Sequence, residues 1–131
     1  MANLKEKLKK VALNKAPTDD EITKAIVGEV GPYGKEGMQW VAATIRNRKQ
    51  GLQGVYGGKN PNVIAGKYTP QQYKDAADSW KESEKNDFTG GAHHWFSDAD
   101  LKQANVQNII KKDGLIFIKR VGHNNFYRKK G

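Results

Sequence analysis

Apolar residues recur at helical spacing in several segments of the chain, which predicts a mainly helical protein. The clearest case is a helix over residues 38–49, in which Met38, Val41, Ala42 and Ile45 recur at intervals of three and four and form one buried face. The same periodicity is found in three further segments, residues 4–14, 19–30 and 70–85.

Capping signals mark the starts of two of these helices. Thr18 and Glu21 form the capping-box pattern, in which the threonine hydroxyl accepts from the Glu21 amide and the Glu21 side chain bonds back. Thr69 places an N-cap directly before Pro70, and proline suits the first position of a helix. Pro17 ends the helix predicted over residues 4–14, because proline cannot continue a helix.

The rest of the chain contains breaks and short strands. Five glycines and Pro61 between residues 51 and 66 predict an irregular surface loop without a regular element. Residues 97–100 resemble a helix start. β-Branched and aromatic residues at 115–121 and 126–128 predict strands. The pattern as a whole predicts an α+β fold that is mainly helical, with a small β element near the C-terminus.

Composition narrows the class of protein. The chain has 131 residues, which fits a single domain over residues 1–131, with residues 1–17 as an N-terminal helical extension. The absence of cysteine excludes disulfides, thiol nucleophiles and cysteine metal sites. Eight basic residues and one acid lie in residues 101–131, and this basic block could bind nucleic acid, anionic wall polymers or a membrane surface.

The sequence shows no targeting or spanning segment. Residues 1–15 are too charged to supply the apolar region of a signal peptide. No stretch approaches the ~20 apolar residues of a membrane span. We therefore expect a protein without a membrane span and without a signal peptide.

Glu29 is the residue most indicative of chemistry. It follows Ile22, Ala25 and Ile26 on the apolar stripe of the predicted second helix, where a core residue is expected. A desolvated carboxyl has a raised pKa, and a carboxyl that is neutral at pH 7 can serve as a general acid. The alternative is that Glu29 lies at a frayed helix end and reaches water or pairs with a lysine.

Three ordered motifs resemble the SleB-type cell-wall hydrolase family. Residues 28–48 begin with Gly-Glu, continue through a turn with Pro-Tyr, and lead into a helix that ends in Asn-Arg. Residues 87–92 read Asp-Phe-Thr-Gly-Gly-Ala, close to the family's Asp-Pro-Thr-Gly-Gly-Ala. Residues 121–127 read Val-Gly-His-Asn-Asn-Phe-Tyr, close to its closing Ile-Gly-Asn-His-x-Phe-Tyr. The resemblance covers about residues 21–128.

This resemblance implies a lysozyme-related fold and a lytic transglycosylase activity on peptidoglycan. The enzyme would cleave the β-1,4 bond between N-acetylmuramic acid and N-acetylglucosamine without a metal or cofactor. The matching glutamate, Glu29, would protonate the glycosidic oxygen and then act as base on the muramic acid 6-hydroxyl, which closes a 1,6-anhydro ring. Its partners would be glycan strands, with anionic wall polymers on the basic block, and we expect a monomer.

Two departures from the family pattern affect what carries over. The chain has Val30-Gly31-Pro32 where the family often places a second glutamate, so that carboxylate is either dispensable or replaced by Glu36. His123-Asn124 stands where the family more often has Asn-His, so no histidine role carries over. The family's wall-binding repeats and export signal are also missing from this sequence. We therefore expect a phage-encoded endolysin or virion-associated enzyme that acts on the bacterial wall.

Further residues are candidates for substrate binding because they lie on helix faces directed toward Glu29, because they belong to the later motifs, or, for His94 and Trp95, because aromatic faces with polar tips suit carbohydrate. They are Gln39, Tyr73, Thr89, Gly90, Gly91, His94, Trp95, His123, Asn124, Phe126 and Tyr127. A zinc site built from His93, His94, His123 and an acid such as Asp98 is disfavoured, because adjacent histidines point in different directions.

Two other functions stay open at this point. A hydrolytic muramidase would use the same Glu29 together with a second carboxylate, and Asp87, Asp98 and Asp100 are the candidates. A nucleic-acid-binding module would use the basic C-terminal block and its interleaved aromatic residues. The aromatic residues in question are Phe117, Phe126 and Tyr127.

Overall fold

The computed structural model describes residues 16–130. In chain order these residues form a group of α-helices, followed by a region with three strands and one further α-helix. The α-helices are α1 (Asp19–Val30), α2 (Gly34–Arg48), α3 (Pro61–Ile64), α4 (Pro70–Lys85) and α5 (Ala104–Lys112). The strands are β1 (Ala92–Ser97), β2 (Ile116–Val121) and β3 (Asn124–Arg128). Short 3-10 turns occupy Gly31–Tyr33, Gly57–Lys59 and Asp100–Lys102.

The predicted capping box at Thr18 and the predicted N-cap at Thr69 are both present, and the second also forms a capping box. The Thr18 hydroxyl accepts from the Glu21 amide at 3.2 Å, and the Glu21 side chain accepts from the Thr18 amide at 3.2 Å. Thr69 and Gln72 make the same reciprocal pair at the start of α4. These bonds satisfy amides that have no partner within their helix. The helices predicted over residues 19–30, 38–49 and 70–85 are confirmed as α1, α2 and α4.

The core lies where α1, α2 and α4 pack together and against the sheet. Val41 and Ile26 are fully buried at its centre. Arg46 joins α2 to α4: its Nε donates to the Ser83 hydroxyl at 2.9 Å, and its guanidinium lies 3.8 Å from the Trp80 ring centroid. Stacking and hydrogen bonding together let an arginine serve as a structural link between helices.

The sheet is antiparallel, with strand order β1-β3-β2. Trp95 on β1 pairs with Phe126 on β3, and both rings turn toward the helical core. Phe126 is completely buried and packs against Trp40, with ring centroids 5.2 Å apart. The fold is therefore mainly helical with a small C-terminal sheet, as the sequence predicts.

Three segments differ from their predictions or extend them. Residues 51–66 contain the short helix α3 and a 3-10 turn, where a loop without regular elements is expected. Strand β1 and most of α5 are not predicted, since only a helix start at residues 97–100 is indicated, and the helix begins later, at Ala104. The helix predicted over residues 4–14 lies outside the described residues.

The helices of residues 16–130 do not have the character of membrane spans. Every helix in this part of the chain is either too short or too polar to cross a bilayer.

Candidate active site

Glu29 lies on the apolar face of α1, one helical turn beyond the buried Ala25 and Ile26. Its side chain is half-buried, and no lysine or arginine forms an ion pair with it among residues 16–130. The carboxyl therefore occupies the position on the buried stripe that the sequence predicts. Because no cation neutralises it, its ionisation depends on burial and hydrogen bonding.

Burial raises the pKa of the Glu29 carboxyl above its usual value of 4.5. Hydrogen bonds from the Tyr56 amide, the Trp95 side chain and the Gly57 amide lower this pKa, but burial outweighs them. The Tyr56 amide donates to Oε1 at 3.2 Å. A nearby negative charge on Asp100 raises the pKa slightly further. Glu29 thus holds its proton to a higher pH than an exposed glutamate, as a general acid requires.

The loop whose amides bond Glu29 packs very closely against α1, where Gly57 of the loop crosses Gly28 of the helix. A Cβ added to Gly28 would lie 1.8 Å from the Gly57 carbonyl oxygen, and one added to Gly57 would lie 2.0 Å from the Ala25 carbonyl oxygen. Only residues without a side chain allow this approach. Asn60 also ties the loop to α1, because its Nδ2 donates to the Gly28 carbonyl at 2.9 Å.

A cleft of about 430 Å³ opens beside Glu29, within the size range of ligand sites. It lies between the end of α1, the loop after α2, strand β1 and the start of α5. Its lining residues are Glu29, Arg48, Gly54, Tyr56, His94, Trp95, Phe96, Asp100 and Val106.

The cleft brings together only some of the residues predicted from sequence. Glu29, His94 and Trp95 line it. Arg48, Tyr56, Phe96 and Val106 also line it but are missing from the predicted substrate-binding set, and Asp100 enters that prediction only as a possible second carboxylate. Arg48 ends the Asn-Arg motif, so a sequence signal for it exists, whereas Tyr56 acts through its backbone amide, which no residue pattern reveals.

Arg48 brings a positive charge to the cleft and fastens the adjoining loop. Its guanidinium donates to the Gln53 carbonyl and, at 3.3 Å, to the Gln50 side chain. It also lies 5.9 Å from the Trp95 ring centroid. Partial burial lowers the pKa of Arg48, but an arginine side chain stays charged in proteins. The loop that carries Tyr56 is thereby fixed to the end of α2.

Thr89, Gly90 and Gly91 lie in the turn before β1, outside the cleft. Gly90 and Gly91 adopt φ angles of +74° and +95°, which side chains rarely allow. Asp87 organises this turn. Its carboxylate accepts from the Thr89 amide at 2.9 Å and from the Gly91 amide at 3.0 Å. The Asn47 side chain on α2 donates to it at 3.0 Å, so the turn is anchored to the helix that ends at the cleft.

Substitution of Asp87 by Ala is expected to lower the free energy of unfolding by about 1 kcal/mol at neutral pH, because several donors lose a charged acceptor that is itself partly screened by water. Burial alone would raise the pKa of Asp87, but the bonds from Thr89, Asn47 and Gly91 outweigh it and hold the pKa below 3.8. The stabilisation is therefore full above pH 3.8 and lost as the pH falls through the lowered pKa. Urea unfolding at neutral and acid pH measures this. With Glu84→Ala as the control, an equal loss at both pH values would contradict the assignment.

The other predicted substrate-binding residues lie elsewhere. Gln39 lines a separate cavity and donates to Glu82 at 3.3 Å, and Tyr73 packs on the core. His123 is exposed near Asp98, whose pKa lies well below its usual range because Arg120 and Asn125 donate to it. The three remaining residues are in β3, where Asn124 and Phe126 are buried and Tyr127 packs between Phe96 and Phe117. None of these lines the Glu29 cleft.

The histidines do not gather into a metal site. His93 and His94 are neighbours with ring centroids 5.2 Å apart, whereas His123 lies beside Asp98 and Arg120. Among residues 16–130, no three histidine, aspartate or glutamate side chains are grouped so that they could hold a metal ion.

Comparison with known proteins bears on the fold. No protein-family model and no curated protein matches the chain. Among solved structures, it matches the crystal structure of the catalytic domain of the Bacillus cereus SleB protein with a TM-score of 0.54 and 21% identity. The match covers 88% of this chain and 94% of that chain. The chain has a SleB-like fold.

The SleB-like fold confirms the predicted lysozyme-like architecture. It extends over nearly the whole neighbouring domain, so the helices and the sheet of this chain together form that architecture. At this level of identity the similarity concerns the fold. The roles of Glu29 and of the other cleft residues therefore rest on the geometry described above.

Proposed function

We propose that this protein is a cell-wall glycosidase that cleaves the glycan strands of peptidoglycan, with Glu29 as the general acid. The observation that carries the proposal is a half-buried carboxyl with a raised pKa at the wall of a ligand-sized cleft. The SleB-like fold supports the choice of substrate, because the sequence motifs and the fold point to the same family.

The reaction we propose is lytic transglycosylation. Protonated Glu29 gives its proton to the glycosidic oxygen, and the bond from that oxygen to C1 of N-acetylmuramic acid breaks. The Glu29 carboxylate then takes the proton of the muramic acid 6-hydroxyl, whose oxygen bonds to C1. The products are an N-acetylglucosamine end and a 1,6-anhydro ring, and Glu29 regains its proton.

The hydrogen bonds to Glu29 suit both halves of this cycle. Burial favours the protonated carboxyl before bond cleavage, when an acid is needed. The Tyr56 amide stabilises the carboxylate that exists between the two proton transfers. One carboxyl is enough, because the substrate provides its own nucleophile.

A hydrolytic muramidase is the second candidate, and the position of Asp100 favours keeping it. Asp100 lines the same cleft as Glu29, whereas Asp87 and Asp98 do not. A second carboxylate opposite the acid could activate water in place of the 6-hydroxyl. The two reactions share Glu29 and differ in their product.

The structure gives nucleic-acid binding less support than the sequence does. Phe126, one of three aromatic residues expected to stack on bases, is completely buried. The exposed lysines of the C-terminal block, among them Lys111 and Lys129, are available for anionic wall polymers. We propose that they hold the enzyme on the wall. Phage delivery and a monomeric state stay predictions.

Mass spectrometry of digested peptidoglycan tests the proposed function. We expect fragments with 1,6-anhydromuramic ends, which are lighter by one water than reducing ends. Fragments with reducing muramic acid would instead establish hydrolysis and direct attention to Asp100. If purified peptidoglycan released no fragments, the assignment as a glycosidase would be wrong.

A further inference from the structure

A second cavity adjoins the Glu29 cleft, and neither the reaction nor the motifs use it. Its volume is about 460 Å³, close to that of the cleft. It lies between α1 and the loop after α2. Its lining residues are Glu21, Lys24, Ala25, Leu52, Gln53, Gly54, Val55, Tyr56, Gly58 and Lys59. We call it the side cavity.

The side cavity and the cleft share a wall. Gly54 and Tyr56 line both of them. Tyr56 is 67% exposed, although its amide is bonded to Glu29. A group that branches from a substrate held at Glu29 would pass Tyr56 to enter the side cavity.

The chemistry of the side cavity differs from that of a sugar site. Ala25, Leu52 and Val55 provide apolar surface. Charges of both signs surround it, with Glu21 against Lys24 and Lys59. A ligand that complements such a surface has small apolar groups as well as ionised groups of both signs.

Of the two lysines at the side cavity, Lys59 is the one whose charge is not already paired with a carboxylate in the described part of the chain. It is exposed and makes no ion pair among residues 16–130, whereas Lys24 pairs with Asp20 at 3.0 Å. Glu21 uses Oε1 to accept from Thr18 and leaves its other carboxylate oxygen without a partner in this part of the chain. An anionic ligand group is thus directed to Lys59 and a cationic one to Glu21.

We propose that the side cavity binds the short peptide that branches from muramic acid in peptidoglycan. This peptide carries free carboxylates, an amine and alanine methyl groups, which match Lys59, Glu21 and the apolar surface respectively. The glycan strand itself contains no amine, and its muramic acid lactyl carboxyl is amide-bonded wherever a peptide is attached, so the strand does not account for a cavity edged by both signs. The inference rests on the proposed function and adds a peptide subsite to it.

Gly58 offers a way to fill the side cavity. A Cβ built on Gly58 finds only the Ala25 nitrogen, at 3.9 Å, and its backbone does not need a glycine. Gly58→Leu therefore places a side chain in the cavity without a clash at the backbone. Lys59→Met removes the unpaired charge instead, and Lys67→Met is its matched control, because Lys67 is exposed and lies outside the cavity.

The test compares cleavage of glycan strands that carry peptide with cleavage of strands stripped of peptide by an amidase, whose freed lactyl carboxylates are then capped as methyl amides so that they carry no charge. We expect the wild type to prefer the peptide-bearing strands. Lys59→Met is expected to lower this ratio of rates by about fivefold, for the loss of one exposed charge pair with the peptide. Gly58→Leu is expected to lower the ratio by filling the cavity, whereas Lys67→Met keeps it. Circular dichroism establishes that each variant is folded, and Lys59→Met alone carries the test if Gly58→Leu is not.

Three results would overturn the inference. They are an unchanged ratio in a folded Lys59→Met variant, a wild type without preference, and equal losses on both kinds of strand, which would assign the cavity to the glycan. If the wild type cleaved neither strand, the proposed function would fail first. Calorimetric titration with a free alanine-, glutamate- and diamino-acid-containing tetrapeptide then decides the inference: binding weakened by Lys59→Met supports it, and no binding overturns it.

Discussion

Replacement of Glu29 by Gln is expected to lower peptidoglycan cleavage roughly a thousandfold, which is typical for the loss of a general acid. The amide keeps the shape of the side chain, and its oxygen can still accept from the Tyr56 amide. What it lacks is a proton that can move to the glycosidic oxygen. Mass spectrometry of the products measures the loss of cleavage. Circular dichroism measures whether the variant is folded.

Glu36→Gln is the matched control for this substitution. Glu36 is an exposed glutamate at the start of α2 and pairs with Lys119 at 2.7 Å, away from the cleft. We expect it to cleave at close to the wild-type rate. Substantial cleavage by a folded Glu29→Gln protein would show that another residue is the general acid, and Asp100 would be the first candidate to examine.

The same variant reports on the pKa of Glu29. Because burial raises this pKa in the folded state, the folded protein favours the protonated carboxyl. The stability that it contributes is full below pH 4.5 and is lost as the pH rises through the raised pKa. The uncharged amide that Glu29→Gln introduces does not titrate. We expect Glu29→Gln to be more stable than the wild type at neutral pH, with a difference that shrinks in acid, as measured by urea unfolding.

Gly57→Ala is expected to lower the free energy of unfolding by about 3 kcal/mol and to reduce cleavage together with it. The added methyl group would lie 2.0 Å from the Ala25 carbonyl oxygen and 2.8 Å from Cγ of Glu29. Backbone must therefore move, and the Tyr56 amide moves with it. Urea unfolding and the rate of peptidoglycan cleavage are the two measurements.

Gly58→Ala is the control, since it makes the same chemical change one residue along the same turn. Its Cβ meets only an atom at 3.9 Å, an ordinary contact. We expect stability within about 0.5 kcal/mol of the wild type, as for changes away from packed features. If the two alanine variants were equally stable, the close crossing of Gly28 and Gly57 would not be what positions the loop.

Periodicity and capping chemistry are local, and the sequence therefore predicts α1, α2 and α4 well. Thr18 with Glu21 and Thr69 with Gln72 mark helix starts through contacts only three residues apart. The place of Glu29 at the cleft could be predicted for a related reason, because a carboxylate on an apolar helical stripe violates the pattern that surrounds it.

The parts that escape prediction depend on contacts between distant segments. The glycines of residues 51–66 indicate a loop, but nothing local shows that Gly57 packs against Gly28, 29 residues earlier. Strand β1 has no alternating pattern, because both of its faces are partly covered. Arg48 and Asp100 join the cleft only after α2 and the turn following β1 are placed side by side.

Tyr56 divides two tasks between two parts of one residue. Its main-chain amide holds the carboxyl of Glu29, and every residue except proline supplies such an amide. Its ring, largely exposed between the cleft and the side cavity, meets what lies outside. Under the proposed function, a change of the side chain at this position would alter the surface offered to a substrate, while the amide bond to Glu29 would stay in place.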